Sequence, residues 1–308
     1  KGMLNQSSYP RFGLFCGVLG TVAMLISVLG TSSAIPRLSK PVHKGRERSA
    51  LLAFVDVFRT LKQASFRVLF GAVLMFNTLA GVTQTLLVYV ATYVFEFQPG
   101  HLAGLASSVL IGILFASPVA QALSRRFDKR KALAICVIMG GVFAFSPQVL
   151  YFGGLLGYLS TTSKFVLVFC VNGVSQVFFI GYIILLDSML SDSVDEHELE
   201  SEKREEGLFF AARSFATKAS YGLGSFFAGI GLDIIRFPQN ATPENVPAEA
   251  VMNLAIFSGP VMFILFAATV MISNRYPMTV GRHAEIMSAI HTRKQTQNGE
   301  RASVAGSI

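Results

Sequence analysis

The 308-residue sequence has no tryptophan, three cysteines, and charged residues amounting to only 14% of the chain. Each shortage excludes something. Without tryptophan, any aromatic platform for a ligand must come from Tyr or Phe. Cys16, Cys136 and Cys170 lie within apolar runs, lack CxxC spacing, and read as small buried packing residues. The five histidines, at 43, 101, 197, 283 and 291, all fall in expected loops or tails, and none forms HExxH. That argues against a membrane metalloprotease. The acidic run DSVDEHELESE lacks the Asp spacing and the Gly of an EF-hand. No catalytic set, metal set or cofactor motif is found. The formal charge of +8 comes without any nucleic-acid-binding motif.

What is present is apolar sequence in long runs. Hydrophobic residues make up 52%, and a soluble domain carries about 25% charge. The reading is an all-α polytopic membrane protein whose partners are the lipid bilayer and a small-molecule solute, with no nucleic acid. Spans are expected at 12–30, 67–95, 103–123, 131–152 (with a kink at Pro147), 165–188, 207–235 and 251–273. In the polar segment after the first span, Leu51, Phe54, Val55, Phe58 and Leu61 share one helical face. That face suits a helix lying on the membrane surface or one packed on its own domain. An acidic loop is expected at 190–206 and a polar tail beyond 274.

Charge sets the orientation. The loops 31–66 (with Arg67), 124–131 and 190–206 and the tail hold eight, five, two and five Lys/Arg. The opposite side holds only Lys1, Arg11, Lys164 and Arg236. The first group is therefore cytoplasmic, with the N-terminus outside. The spans do not group as in a seven-helix receptor. A long basic linker isolates the first, and six follow with short loops. The division is a lone helix (1–31), a cytoplasmic linker (32–66), a six-helix bundle (67–274) and a cytoplasmic tail (275–308). That fits the last helix of one six-helix half plus the whole second half of a twelve-helix transporter, so upstream helices of the same protein are expected as its partner.

The stretch around the sixth span carries the chemistry. Lys218 lies about 11 residues, or ~16 Å, into it, near mid-depth of a ~30 Å hydrocarbon core. A cation there normally faces a protein interior or a water-filled cavity. A snorkelling lysine is the bland alternative. Asp192-Ser-Val-Asp195, then Glu198, Arg204-Glu-Glu-Gly207 and Lys218 fourteen residues beyond Arg204 together resemble the melibiose-permease-like cation symporters. These are the glycoside–pentoside–hexuronide family of the major facilitator superfamily. SRRFDKRKAL resembles the family's basic loop between helices eight and nine, and YPMTVGRHAEI the start of its C-terminal tail.

The resemblance implies a major facilitator fold in a bacterial inner or other plasma membrane. It also implies symport of a glycoside or related solute with Na⁺ or H⁺. Lys218 matches the helix-eleven lysine near the coupling-cation and sugar sites. Asp192, Asp195 and Arg204 match a cytoplasmic gate network, with Arg125 and Arg126 as further members. Asn77, Gln84, Asn172 and Gln176 are polar groups in apolar spans, suited either to a substrate cavity or to helix contacts. Tyr182 is the tyrosine at a suitable depth to replace the missing tryptophan, or else a core residue. A lysophospholipid-like or other amphiphilic solute, or a non-transporting sensor on the same fold, are the alternatives.

Overall fold

The computed structural model describes residues 9–37, 60–202, 205–238, 241 and 245–305, and every regular element among them is helical. The chain divides into two compact units, Lys1–Ala53 and Phe54–Ile308. The first contains α1 (Tyr9–Thr31), an almost unbroken apolar run, followed by a 3-10 turn over Ser32–Arg37. Arg204 lies outside the described residues, as does the surface helix expected over 51–61 except for its last two residues.

The second unit begins with α2 (Ala64–Tyr89), which ends in a π-helical turn (Val90–Val94). Helices α3 (Pro99–Ser107) and α4 (Val109–Arg126) form one apolar segment interrupted at Ser108. Next come α5 (Lys129–Phe152), α6 (Thr161–Ser201) and α7 (Glu206–Ile234). Helices α8 (Ala248–Ile256) and α9 (Met262–Ser273) are joined by a second π-helical turn, Phe257–Val261. The last helix is α10 (Val280–Ala305). Among the described residues, six helices are long and apolar enough to cross a membrane: α1, α2, α3–α4, α5, α6 and α8–α9. The seventh expected span, α7, has the length at 29 residues. Arg213, Lys218 and its many small residues dilute its apolarity.

Several expectations are corrected. The residues expected to form an acidic loop at 190–206 continue α6 to Ser201, and the helix stops only where Glu202 takes φ 59°. At 41 residues α6 is about 60 Å long, twice a hydrocarbon core. Its acidic part therefore stands beyond the apolar region, and His197 lies on a helix. The polar tail is also helical. Ile286 and Ile290, one turn apart, are buried, and α10 packs on α6. Cys136 is buried as expected, whereas Cys16 and Cys170 are exposed. Pro147 sits within α5 without ending it.

Helices α2 and α7 pack along each other more extensively than any other pair. The reason is a stripe at four-residue spacing, Ala212, Ala216, Ser220, Gly224 and Ala228, all buried. At the closest approach a Cβ on Gly224 would lie 2.4 Å from the Thr78 carbonyl oxygen and 2.8 Å from Gly81 Cα. Backbones meet this closely only where side chains are missing. Further along, Phe76 of α2 stacks on Tyr182 of α6 at 4.0 Å and meets Phe266 of α9 edge-on at 5.4 Å.

Gly224→Val is therefore expected to cost about 1–3 kcal/mol by overpacking, read as a lower midpoint of thermal unfolding in detergent. At Gly222, two residues away, no atom lies within 4 Å of the place a methyl group would take. Gly222→Ala should leave that midpoint unchanged or raise it. Equal effects at both positions would remove the close crossing.

Candidate functional site

A cavity of about 210 Å³ opens between α2, α5, α6, α7 and the α8–α9 segment. Phe76, Phe145, Phe179 and Phe266 form its apolar wall. Gln84, Gln148, Asn172, Gln176, Tyr221 and Ser258 bring polar groups to it. No charged side chain among the described residues lines it. Such a surface can hydrogen-bond hydroxyls and amides and can stack an apolar ring face, but it offers no counter-charge. The helical register explains the lining: Asn172 and Gln176 are one turn apart on α6, and Gln84 lies on α2 opposite them.

Of the polar residues singled out by sequence, Gln84, Asn172 and Gln176 line this cavity. Asn77 and Tyr182 are buried outside its lining. Asn77 donates to the Val73 carbonyl of its own helix at 2.9 Å. The Tyr182 hydroxyl donates to the Ala72 carbonyl at 3.4 Å. Asn77 is thus satisfied within α2, and Tyr182 ties α6 to α2. Lys218 lies twelve residues into α7 by the observed start at Glu206, about 18 Å along the helix. It is exposed, and it makes no ion pair among the described residues. It follows the same helical stripe as Tyr221, one turn away, which reaches the cavity.

Most of the ion pairs of the unit collect at one end, with Lys164–Glu96 at 3.9 Å lying apart from them. The Lys129 ammonium donates to both oxygens of Asp192, at 2.6 and 2.9 Å, and Asp192 is buried. His283 Nε2 lies 3.5 Å from an Asp192 oxygen and 3.3 Å from an Asp195 oxygen. Arg293 of α10 donates to the carbonyls of Glu198 and Leu199, at 3.0 and 3.3 Å. A cation there meets the negative end of the α6 dipole. Deeper along α6, Asp187 pairs with Arg213 of α7 at 2.9 Å, with a second contact at 3.1 Å. The buried Tyr276 hydroxyl donates to the Met189 carbonyl at 2.9 Å. Burial pushes its phenol above the usual tyrosine range. The Ser193 hydrogen bond opposes that rise, and the Asp192 and Glu196 carboxylates add to it.

Asp192 and Asp195 thus do stand in one cluster. Arg125 and Arg126 do not join it. Both are exposed at the end of α4, and the Arg126 guanidinium sits 5.9 Å over the Phe127 ring. The basic partner of Asp192 comes instead from the same run, a few residues on, because α5 begins at Lys129. An Asp before an apolar run is a helix-start signal, so Asp128 could have placed Lys129 on α5. His283 and Arg293 are missed by sequence reasoning because α10 has the composition of a tail. The spacing of Ile286 and Ile290 is the available signal. Gln148 and Ser258 also interrupt apolar spans, but nothing in the sequence brings the two together.

The Lys129–Asp192 pair is expected to couple energetically. Lys129→Met and Asp192→Asn should each lower the detergent unfolding midpoint, and the double variant should lose about 1–3 kcal/mol less than their sum. Additive losses would mean that the contact contributes nothing.

Comparison with known proteins adds the family. The family model described as MFS/sugar transport protein matches residues 2–280. The chain is 28% identical over 213 residues to an uncharacterized symporter of Synechocystis sp., covering 66% of this chain and 36% of the relative. It is 21% identical over 311 aligned residues to the lactose permease of Lactobacillus delbrueckii subsp. bulgaricus, covering 99% of this chain and 46% of the permease. An uncharacterized symporter of Bacillus subtilis matches at 28% over 120 residues, 38% of this chain and 26% of that protein. The chain thus spans less than half the length of each of these relatives. A helical bundle with an uncharged cavity between its helices and a cluster of ion pairs at one end agrees with a match that runs over nearly the whole sequence: the chain belongs to the MFS/sugar transport protein family.

Proposed function

We propose that the protein is a secondary active transporter that carries a glycoside or related uncharged solute in symport with Na⁺ or H⁺. In this reading the chain supplies the last helix of the first half and the complete second half of a major facilitator bundle, with α7 as a seventh span. The charged end faces the cytoplasm of a plasma or bacterial inner membrane. Solute is exposed alternately to the two sides as the halves rock. The uncharged cavity supports a neutral solute, and the names of the similar proteins, a lactose permease and two symporters, agree with it.

The observation that carries the coupled reading is Lys218. Its ammonium is deep along an apolar helix, on the stripe of a cavity residue, and without an ion pair among the described residues. Such a cation needs a counter-charge from elsewhere. Carboxylates of the other half would supply it, and a bound Na⁺ or H⁺ would compete for them. Arg125 and Arg126, exposed at the end of α4, are likewise available to carboxylates of that half, while Asp192 and Asp195 hold α6 to α5 and α10 beside them.

The aromatic wall favours a second reading, an amphiphilic solute such as a lysophospholipid. A phosphate headgroup would find no cation in the described cavity lining, which ranks this reading behind the first.

The test is uptake of labelled glycosides into proteoliposomes holding the full-length protein, with and without inward Na⁺ and H⁺ gradients. Gradient-driven accumulation is expected in the wild type. In Lys218→Ala, accumulation should fall on the order of a hundredfold, about 3 kcal/mol, while downhill exchange persists. Accumulation indifferent to Lys218→Ala would remove this lysine from coupling.

A further inference from the structure

Most hydroxyls on these helices are already committed. Thr83 donates to the Leu79 carbonyl at 2.9 Å and Ser175 to the Gly140 carbonyl at 2.9 Å, though both also border the cavity. Two cavity residues differ. Gln148 of α5 and Ser258 of the second π-helical turn are 7% and 5% exposed. Gln148 Oε1 and Ser258 Oγ have no hydrogen-bond partner among the described residues. Buried polar atoms are nearly always paired, and an exception calls for a reason.

Local structure explains how they meet. On a regular helix a serine hydroxyl back-bonds to the carbonyl four residues earlier, as Ser193 and Ser273 do. Ser258 stands in the turn Phe257–Val261, where the carbonyl register slips by one residue. Its neighbour Gly259 lets α5 come close: a Cβ there would lie 2.8 Å from Gln148 Cβ. Any larger residue would push Gln148 away from the turn.

We infer that Gln148 and Ser258 form a second polar anchor in the cavity, separate from Gln84, Asn172 and Gln176, which holds an O–H or N–H donor of the bound solute. A carboxamide oxygen only accepts, so the ligand must donate to it. The serine hydroxyl can accept from the same group or donate to its neighbour. The anchor therefore selects solutes with a free hydroxyl or amide at that point and rejects those with hydrogen or an alkyl group there. A site built to bond such a group discriminates strongly, because an analogue lacking it leaves buried polar atoms unpaired.

The inference rests on the solute-transport reading, and the experiment separates the two. Lactose and its monodeoxy derivatives serve as probes of the full-length protein in proteoliposomes. In the wild type, one derivative should bind on the order of tenfold more weakly than lactose. In Gln148→Leu, lactose should bind as weakly as that derivative, and the derivative should lose nothing further. Ser258→Ala should act on the same hydroxyl. Equal losses for every derivative, as from a general disturbance of packing, or no loss at all, would overturn the anchor. If the wild type neither binds nor carries lactose, the sugar reading fails there. The anchor is then judged by Ser258→Cys in protein whose other cysteines are replaced by serine. Reaction with a water-soluble methanethiosulfonate supports a site open to solute, and resistance overturns it.

Discussion

A charge among apolar helices has to find a counter-charge, and most of this structure follows from that requirement. The apolar part of α6 ends where Asp187 appears, and Asp187 is met by Arg213 of α7. Asp192, buried one turn and a half further, is met by Lys129 and His283. Each acidic residue thereby fixes a different neighbour, so the end of α6 becomes the place where α5, α7 and α10 are held. The energetic gain from each pair is modest after desolvation, whereas leaving one partner uncompensated is costly. The pairs therefore specify arrangement more than they add stability.

Apolar packing sets what the charges cannot. The small-residue stripe of α7 turns toward α2 because only there can the backbones approach so closely. That choice dictates the opposite face. With Ser220 and Gly224 against α2, Lys218 must point elsewhere, and Tyr221 and Ser225 fall at the edge of the contact. Tyr221 then borders the cavity, while Ser225 stays within reach of α2 and accepts from the Thr85 hydroxyl at 3.1 Å. The placement of Lys218 is thus a consequence of glycine and alanine four residues apart on the other side of the same helix.

Much of this is legible in the sequence. Long apolar runs locate every apolar span within a few residues, and the polar residues Gln84, Asn172 and Gln176 are visible because they interrupt such runs. Two kinds of feature are not legible. Charge density alone does not distinguish a solvated loop from a helix that has left the bilayer, so the end of α6 looks like loop and α10 like tail. Pairing is also decided in three dimensions: Arg125, Arg126 and Lys129 look alike in one basic run, and only the start of α5 selects Lys129. Gln148 and Ser258 need the π-helical turn to become neighbours, and no periodicity announces such a turn.

One rigid element joins the two regions. Asn172, Gln176, Asp187 and Asp192 all belong to α6, which runs from Thr161 to Ser201 without a break. From Gln176 to Asp192 is sixteen residues on that helix, or about 24 Å. A continuous helix does not absorb a displacement along such a length; it passes it on. Under alternating access, any tilt that opens the charged end must therefore move the cavity wall as well. The Lys129–Asp192 and Asp187–Arg213 pairs lie between helices of this same unit, so they brace α6 rather than lock it to another half. Lys218 and the arginines of α4, which make no ion pair among the described residues, are therefore the charges of this unit whose partners remain to be found.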